Sequence, residues 1–152
     1  MAEMKIAIAE DNRQALDMLG NILESDKEIQ VVGKAENGTD AYNMIVKTKP
    51  DLVFLDVVMP GMDGISFMKA VKERGWDDIV FIILTNLEEF NLARQALSLG
   101  AVEYLVKMEL TEEKLSEALK LAKERCELTR LANEKASPGF PSKADRIRRL
   151  IE

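Results

Sequence analysis

Short apolar runs alternate along this chain with stretches whose apolar residues recur every three or four positions. The runs are rich in Val, Ile, Leu and Phe, which is typical of buried parallel strands. The stretches between them have the spacing of helices that cover a sheet with one apolar face. Five strands are predicted, at 6–9, 29–32, 52–55, 80–84 and 104–106. This alternation predicts an α/β fold, a parallel sheet with helices on both faces.

Five helices are predicted between and after these strands. Their apolar positions are Leu16, Leu19, Ile22 and Leu23 in the first, Ala41, Ile45 and Val46 in the second, Ile65, Met68 and Val71 in the third, Phe90, Ala93, Ala96 and Leu97 in the fourth, and Leu115, Leu119, Ala122 and Cys126 in the fifth. Lys49-Pro50 and Gly100 are predicted to end the second and fourth helices, and Thr111 is the predicted N-cap of the fifth.

The last predicted helix is longer than the sheet requires. Its apolar spacing continues to either Leu128 or Leu131, so its distal half must contact another surface or solvent. A linker rich in Pro, Gly and Ser follows, and the terminal segment has the pattern of a short basic amphipathic helix. We therefore expect a main domain at 4–125, a helix extension and linker at 126–142, and the start of a basic helix at 143–152, for which a truncated effector domain is one interpretation.

Composition limits the function classes. The chain has 152 residues, of which 47% are hydrophobic and 32% charged, enough to fill one core. It contains no apolar run near the ~20 residues that cross a bilayer and no signal-peptide pattern, so we expect a cytoplasmic protein without a membrane partner. The absence of histidine excludes histidine-based catalysis and the usual zinc sites. The single cysteine, Cys126, is expected to be a buried thiol.

The charge is unevenly distributed. The formal net charge is −6, yet residues 125–152 carry seven Lys or Arg against four Asp or Glu. The acidic charge therefore belongs to the main domain. An acidic domain does not favour direct nucleic-acid binding by this chain.

Reactive side chains stand at the carboxyl ends of four predicted strands: Glu10 and Asp11, then Asp56, Thr85 and Lys107. These strand ends share one edge of a parallel sheet, so the side chains should meet. Three clustered carboxylates repel one another unless a cation is present, and their oxygens suit Mg²⁺. An ammonium group and a hydroxyl can both bind phosphoryl oxygens. The set predicts a phosphorylatable aspartate, Asp56.

Each of these residues also has an ordinary interpretation. An acidic pair after a strand often only favours the N-terminus of the following helix. Thr85 and Lys107, taken singly, are ordinary residues for a strand end, and Tyr104 is an ordinary core residue. Their occurrence in order on successive strand ends is what favours a functional site.

Taken together, the motifs resemble the receiver domain of response regulators, the phosphoacceptor half of bacterial two-component signalling. The resemblance extends from about Met4 to about Arg125. It rests on Glu10-Asp11, on the run DVVMPGMDG at 56–64, on Leu84-Thr85 and on the run GAVEYLVK at 100–107. It implies a flavodoxin-like, doubly wound sheet of five parallel strands, and phosphoryl transfer from a partner sensor histidine kinase to Asp56.

The resemblance also implies a set of metal ligands. Asp11 and Asp56, with the backbone carbonyl of Val58, would hold Mg²⁺ directly, and Glu10 would act through a bound water. The family more often has Asp where this chain has Glu10. The longer side chain should be tolerated by a water-mediated contact.

Further roles follow from the same resemblance. Lys107 would pair with the acyl phosphate. Thr85 and Tyr104 resemble the family's switch pair, in which the hydroxyl moves toward the phosphoryl group and the ring turns into the space that it leaves. On this interpretation the chain catalyses only its own phosphorylation and dephosphorylation and is not otherwise an enzyme.

Several positions depart from the family pattern. Met108 follows Lys107 at a position where proline is frequent in the family. Whether the peptide bond after Lys107 is cis, as is usual in the family, is therefore undecided by the sequence. Asn86 stands where a small residue is usual, and it should narrow access to the phosphoryl group. Val58 and Leu87, two residues after Asp56 and Thr85, are apolar and would give an attacking water little help. We therefore expect slow self-dephosphorylation.

Three interpretations of the output remain open. The long last helix, the linker and the basic segment at 143–152 favour a transcription regulator whose DNA-binding domain lies beyond this chain. A stand-alone receiver that acts by protein binding or phosphorelay is the alternative. A phosphatase-like hydrolase is the third, and it would need a substrate-binding insertion that the sequence lacks. We expect phosphorylation to favour a homodimer, formed through the fourth helix, the fifth strand and the last helix. The alternative is that the apolar stripe of the last helix docks on an effector domain or on the terminal helix of this chain.

Overall fold

A computed structural model describes residues 4–76 and 78–135, the last three by their backbone alone. Its five parallel strands form one sheet in the order β2-β1-β3-β4-β5. The strands are β1 (Met4–Ala9), β2 (Ile29–Ala35), β3 (Leu52–Asp56), β4 (Val80–Thr85) and β5 (Glu103–Val106). The strand order reverses next to β1, which is the doubly wound, flavodoxin-like arrangement. The predicted fold class is confirmed.

Helices cover both faces of the sheet. They are α1 (Arg13–Glu24), α2 (Gly38–Thr48), α3 (Gly64–Glu73), α4 (Phe90–Ser98) and α5 (Glu112–Lys135). Helices α1 and α5 pack on the face that carries Phe54 and Ile82. Helices α2, α3 and α4 pack on the opposite face, around Val53 and Ile83. The core therefore consists of two apolar layers separated by the sheet.

Local signals set the helix ends. The Thr111 hydroxyl accepts a hydrogen bond from the Lys114 N–H at 3.1 Å, as its predicted role as N-cap requires. Helix α2 ends at Lys49, which has a left-handed φ of 48°, and Gly100 follows α4 with a φ of 109°. Both predicted helix stops are present.

Strand β2 is longer than predicted. The prediction ended at Val32 because Gly33 and Lys34 interrupt the apolar run. In the structure the pairing with β1 shifts register, from Ile6 opposite Val31 to Ala7 opposite Gly33, and then continues to Ala35. Backbone pairing to a neighbouring strand thus extends β2 where its own side chains do not signal a strand.

Two short 3₁₀ helices, Leu87–Glu89 and Lys107–Glu109, were not predicted. The first lies just after Thr85, and the second begins at Lys107, so each adjoins a candidate site residue. Three residues are too few to produce a periodic signal in the sequence. The described residues contain no cis peptide bond, so the bond between Lys107 and Met108 is trans.

Helix α5 covers the sheet with its first half only. Leu115 and Ala122 are buried, whereas Leu128 and Leu131 are exposed. The expectation of a buried thiol is only partly met, because Cys126 is half-buried where α5 leaves the sheet. Its Sγ lies 3.6 Å from the Asp51 carbonyl oxygen, and burial raises the pKa of this thiol to about 11.

The predicted linker and basic terminal helix, from residue 136 onward, lie outside the described residues. Within the part of the chain that is described, no helix combines the length and apolar character that a membrane span requires.

Candidate functional site

The candidate site lies at the carboxyl edge of the sheet. Asp56 is the last residue of β3, the central strand, and pairs with Leu84 of β4. Glu10 directly follows β1 on one side, and Thr85 ends β4 on the other. Among the described side chains, the buried polar or charged ones are Glu10, Asp56 and Thr85. Burial of polar groups is costly, so their concentration at one edge indicates a site rather than packing.

The acidic side chains form a cluster. Glu10, Asp11 and Asp56 each offer one oxygen, and these oxygens lie within 4.8 Å of one another. Oε1 of Glu10 is fully buried and receives no directed hydrogen bond within the described part of the chain. A donor set of three clustered carboxylate oxygens fits a small, hard divalent cation. Magnesium is therefore compatible with the residues at this edge.

Lys107 joins two of the acids. Its Nζ donates to Oδ2 of Asp56 at 2.8 Å and to Oε2 of Glu10 at 3.0 Å. It also lies 2.9 Å from Oε1 of Glu10, an ion-pair contact that lacks hydrogen-bond geometry. The ammonium thus lies beside both buried carboxylates, and its side chain is itself largely buried.

The surroundings shift the pKa values of Asp56 and Asp11 in opposite directions. Burial and the neighbouring carboxylates of Asp11 and Glu10 raise the pKa of Asp56 to about 8, against the opposing effect of Lys107. Burial also acts to raise the pKa of Asp11, but hydrogen bonding to Asp56 and Glu10 and the charge of Lys107 outweigh it, so this pKa is lowered. The surroundings therefore favour the neutral form of Asp56 and the ionised form of Asp11.

The same contacts act on the lysine. Burial alone would lower the pKa of Lys107, but its hydrogen bonds to Asp56 and Glu10 outweigh burial, so the pKa is raised. The ammonium form is secure across the neutral range. The site therefore keeps one fixed positive charge beside Asp56.

Glu10 and the loop after Asp56 are held by backbone groups. The Asn12 N–H donates to Oε2 of Glu10 at 2.9 Å, and the Val58 N–H donates to Oδ1 of Asp56 at 3.1 Å. The Gly64 N–H donates to the Val57 carbonyl at 2.7 Å and closes this loop. A Cβ on Gly64 would lie 2.7 Å from the Val57 Cα, so only glycine fits. The role of the Val58 carbonyl as a ligand stays a prediction.

Thr85 and Tyr104 lie on neighbouring strands and on one face of the sheet. Thr85 pairs with Val106, and Tyr104 pairs with Ile83. The Thr85 hydroxyl donates to the Asn86 carbonyl at 2.9 Å. Tyr104 is half-buried at the margin of the core. The predicted switch residues are therefore neighbours, with the hydroxyl bonded to its own loop.

The rim of the site is apolar. Val58, Leu87 and Met108 follow Asp56, Thr85 and Lys107 by one or two residues, and all three are exposed, Leu87 at 62% and Met108 at 83%. Asn86 caps the first 3₁₀ helix, where its backbone N–H donates to Oε2 of Glu89 at 3.5 Å. Its effect on access to the phosphoryl group stays a prediction.

Sequence reasoning missed one contact at this edge. Phe90 was assigned to the apolar face of α4, yet its ring packs edge-on against Tyr104, with centroids 5.6 Å apart. Periodicity in the sequence does not distinguish a ring that packs on a neighbouring strand from one that packs in the core. The sequence feature that could have indicated this contact is an aromatic residue at the start of α4, five positions after Thr85.

Comparison with known proteins gives consistent similarities. Residues 6–120 match the response regulator receiver domain family. The chain is 39% identical over 104 residues to the uncharacterized transcriptional regulatory protein YesN of Bacillus subtilis, a match that covers 68% of this chain and 28% of that protein. It is 31% identical over 160 residues to a protein-glutamate methylesterase/protein-glutamine glutaminase of Pyrococcus horikoshii, covering 95% of this chain and 44% of that one.

Solved structures show the same likeness. The signal receiver domain of NarL from Mycobacterium tuberculosis superposes with a TM-score of 0.73 at 27% identity, covering 81% of this chain and 98% of that one. The REC domain of AraT from Geobacillus stearothermophilus gives a TM-score of 0.69 at 29% identity, covering 80% and 94%. The chain thus spans less than half the length of the two relatives compared by sequence, but nearly all of these isolated domains.

Proposed function

This chain belongs to the response regulator receiver domain family, and we propose that Asp56 is the residue on which it accepts a phosphoryl group from a partner histidine kinase. One observation carries the proposal. A buried carboxylate ends the central strand, with an ammonium 2.8 Å away and two further carboxylates beside it. This combination provides a nucleophile, a phosphate-binding cation and ligands for a metal.

The transfer is a single displacement at phosphorus. An oxygen of Asp56 attacks the phosphoryl group carried by a histidine of the kinase, the P–N bond breaks as the O–P bond forms, and the imidazole leaves with its electron pair. Bound Mg²⁺ would supply positive charge to the phosphoryl oxygens and favour the ionised form of Asp56. Asp11, Asp56 and the Val58 carbonyl are the proposed direct ligands, with Glu10 acting through a water.

Lys107 and Thr85 act on the product. The ammonium, now beside Asp56 and Glu10, is close enough to turn to a phosphoryl oxygen on Asp56. The Thr85 hydroxyl can rotate from the Asn86 carbonyl to the same group. Tyr104, on the same face of the sheet, would then turn into the space that Thr85 vacates. These movements are the proposed switch.

The proposed output is transcriptional. The Bacillus subtilis relative is named a transcriptional regulatory protein, and this chain covers only 28% of it. We propose that the receiver controls a DNA-binding domain outside this chain, and that phosphorylation favours a homodimer. A stand-alone receiver is the alternative, and the length of the native reading frame beyond Glu152 decides between them.

Phosphorylation is tested with a small donor such as acetyl phosphate or phosphoramidate and Mg²⁺. Intact-mass measurement should show one added phosphoryl group that is stable in acid and lost in base. Asp56→Asn should abolish it, while Asp17→Asn, an exposed acid on α1, should not. Equal incorporation by the Asp56→Asn variant would overturn the assignment.

A further inference from the structure

An exposed aromatic ring meets the predicted switch tyrosine. Phe90 is the first residue of α4, and 42% of it is exposed, so it is not a core anchor. Its ring meets Tyr104 edge-on, with centroids 5.6 Å apart and planes at 83°. This is the preferred geometry of an aromatic pair. Tyr104 itself is only half-buried, so contact with Phe90 stabilises its ring at the margin of the core.

Phe90 is also connected to Thr85 through the four residues between them. The Asn86 carbonyl accepts from the Thr85 hydroxyl at 2.9 Å and from the Glu89 N–H at 3.0 Å. The Asn86 N–H in turn donates to the Glu89 side chain, which completes a capping box. The Thr85 hydroxyl and the Phe90 ring are thus the two ends of one hydrogen-bonded segment, residues 85–90.

We propose that Phe90 is a positioning residue that holds the Tyr104 ring in its half-buried place while Asp56 is unphosphorylated. This inference rests on the proposed function, since it concerns the response to phosphorylation. When the Thr85 hydroxyl turns to a phosphoryl oxygen, the Asn86 carbonyl loses one of its two donors. The segment that carries Phe90 is then free to shift, and the aromatic contact is released.

Thermodynamic linkage fixes the sign of the effect. A contact present only in the unphosphorylated state opposes binding of any ligand that favours the other state. Removing the Phe90 ring therefore strengthens binding of a phosphoryl mimic such as beryllofluoride with Mg²⁺. Edge-to-face pairs of this kind correspond to about a 2- to 12-fold change in affinity.

The experiment uses fluorinated tyrosine, because the chain contains two tyrosines. Tyr42 packs against Trp76 on the other side of α3, with centroids 5.9 Å apart, and serves as an internal reference. In mimic-free protein, Phe90→Leu should move the Tyr104 signal toward its position in mimic-saturated wild type and leave the Tyr42 signal in place. The same variant should bind the mimic more tightly.

Two controls separate positioning from general destabilisation. Phe90→Tyr keeps the ring and should restore both the signal and the wild-type affinity. Val46→Ala truncates a side chain of matching exposure, 41%, on α2, and should change neither. The Tyr104 readout does not depend on transfer activity.

The outcomes separate failure of the proposed switch from failure of the proposed role of Phe90. A wild-type Tyr104 signal that saturating mimic leaves unmoved contradicts the proposed switch itself. If the wild-type signal moves, but Phe90→Leu matches wild type or binds the mimic more weakly, the switch stands and the role of Phe90 is rejected.

Discussion

Lys107 places its Nζ 2.8 Å from Oδ2 of Asp56, although 51 residues of sequence separate the two. The same nitrogen donates to Glu10, which is fully buried. The ammonium therefore offsets part of the repulsion among the carboxylates in the structure described here. This arrangement has consequences for stability as well as for signalling.

Replacing Lys107 by Met should destabilise the metal-free protein by about 1–3 kcal/mol. Glu10 would then be a buried carboxylate without a neighbouring cation, which lowers the free energy of unfolding more than removing the whole pair would. The expected decrease is moderate because Lys107 is partly exposed. Urea unfolding in EDTA measures it. Glu10→Gln combined with Lys107→Met should cost less than the two single changes added. Additive effects would mean that the pair does not interact.

Replacing Asp56 by Asn should stabilise the metal-free protein by about 1–2 kcal/mol. The change relieves the burial and repulsion of a carboxylate next to Asp11 and Glu10, which outweigh its attraction to Lys107. Glu10 continues to pair with Lys107. Saturating Mg²⁺ should shrink the gain, because a bound cation already relieves the repulsion. Denaturant unfolding with EDTA and with Mg²⁺ makes the comparison. Asp17→Asn is the matched control. An equal increase in the free energy of unfolding from this variant would show that repulsion at Asp56 is not the cause.

The sequence was sufficient to place Asp56 and Thr85 because both end uninterrupted apolar runs, and a parallel sheet brings such ends to one edge. It was not sufficient for the hydrogen bonds that Lys107 makes to both Glu10 and Asp56 when no phosphoryl group is bound. Those contacts depend on the reach of side chains across three strands, which no local pattern encodes. The pairing of Lys107 with the acyl phosphate stays a prediction.

Strand β2 and Phe90 are two further features that the sequence alone could not predict. The end of β2 is set by pairing with β1 through a register shift, not by its own residues. The contact of Phe90 with Tyr104 depends on how α4 is placed against β5. Periodicity identifies which face of an element is apolar, but the neighbour that meets a residue at the end of that element is a tertiary property.

The apolar rim predicts a long-lived acyl phosphate. Val58 and Leu87 are exposed at the entrance and offer no group to orient a water. Val58→Asn and Leu87→Glu together should therefore speed loss of the phosphoryl group by roughly 3- to 30-fold, below the full range of general-base catalysis. Decay after removal of the donor, followed by intact mass, measures the rate. Val58→Ala with Leu87→Ala keeps the rim apolar and should leave the rate close to wild type. A polar rim with an unchanged rate would refute the explanation.

The distal half of α5 predicts a dimer of the phosphorylated form. Leu128 is 64% exposed and Leu131 lies one turn further, so the two form an apolar stripe beyond the sheet. At 3.6 residues per turn, both leucines lie on the side of α5 that faces away from the sheet. Pairing of two α5 helices would bury this stripe, and α5 adjoins β5, the strand that carries Tyr104.

Sedimentation with and without beryllofluoride and Mg²⁺ tests this dimer. We expect a monomer without the mimic and a dimer with it at high micromolar concentration, because two leucines a side support only weak association. Leu128→Glu with Leu131→Glu should abolish the dimer, since pairing would bury unpaired carboxylates. Lys47→Glu on α2, on the opposite face of the sheet, should leave it intact. A protein that stays monomeric with the mimic, or a dimer that survives both glutamates, would exclude α5 as the interface.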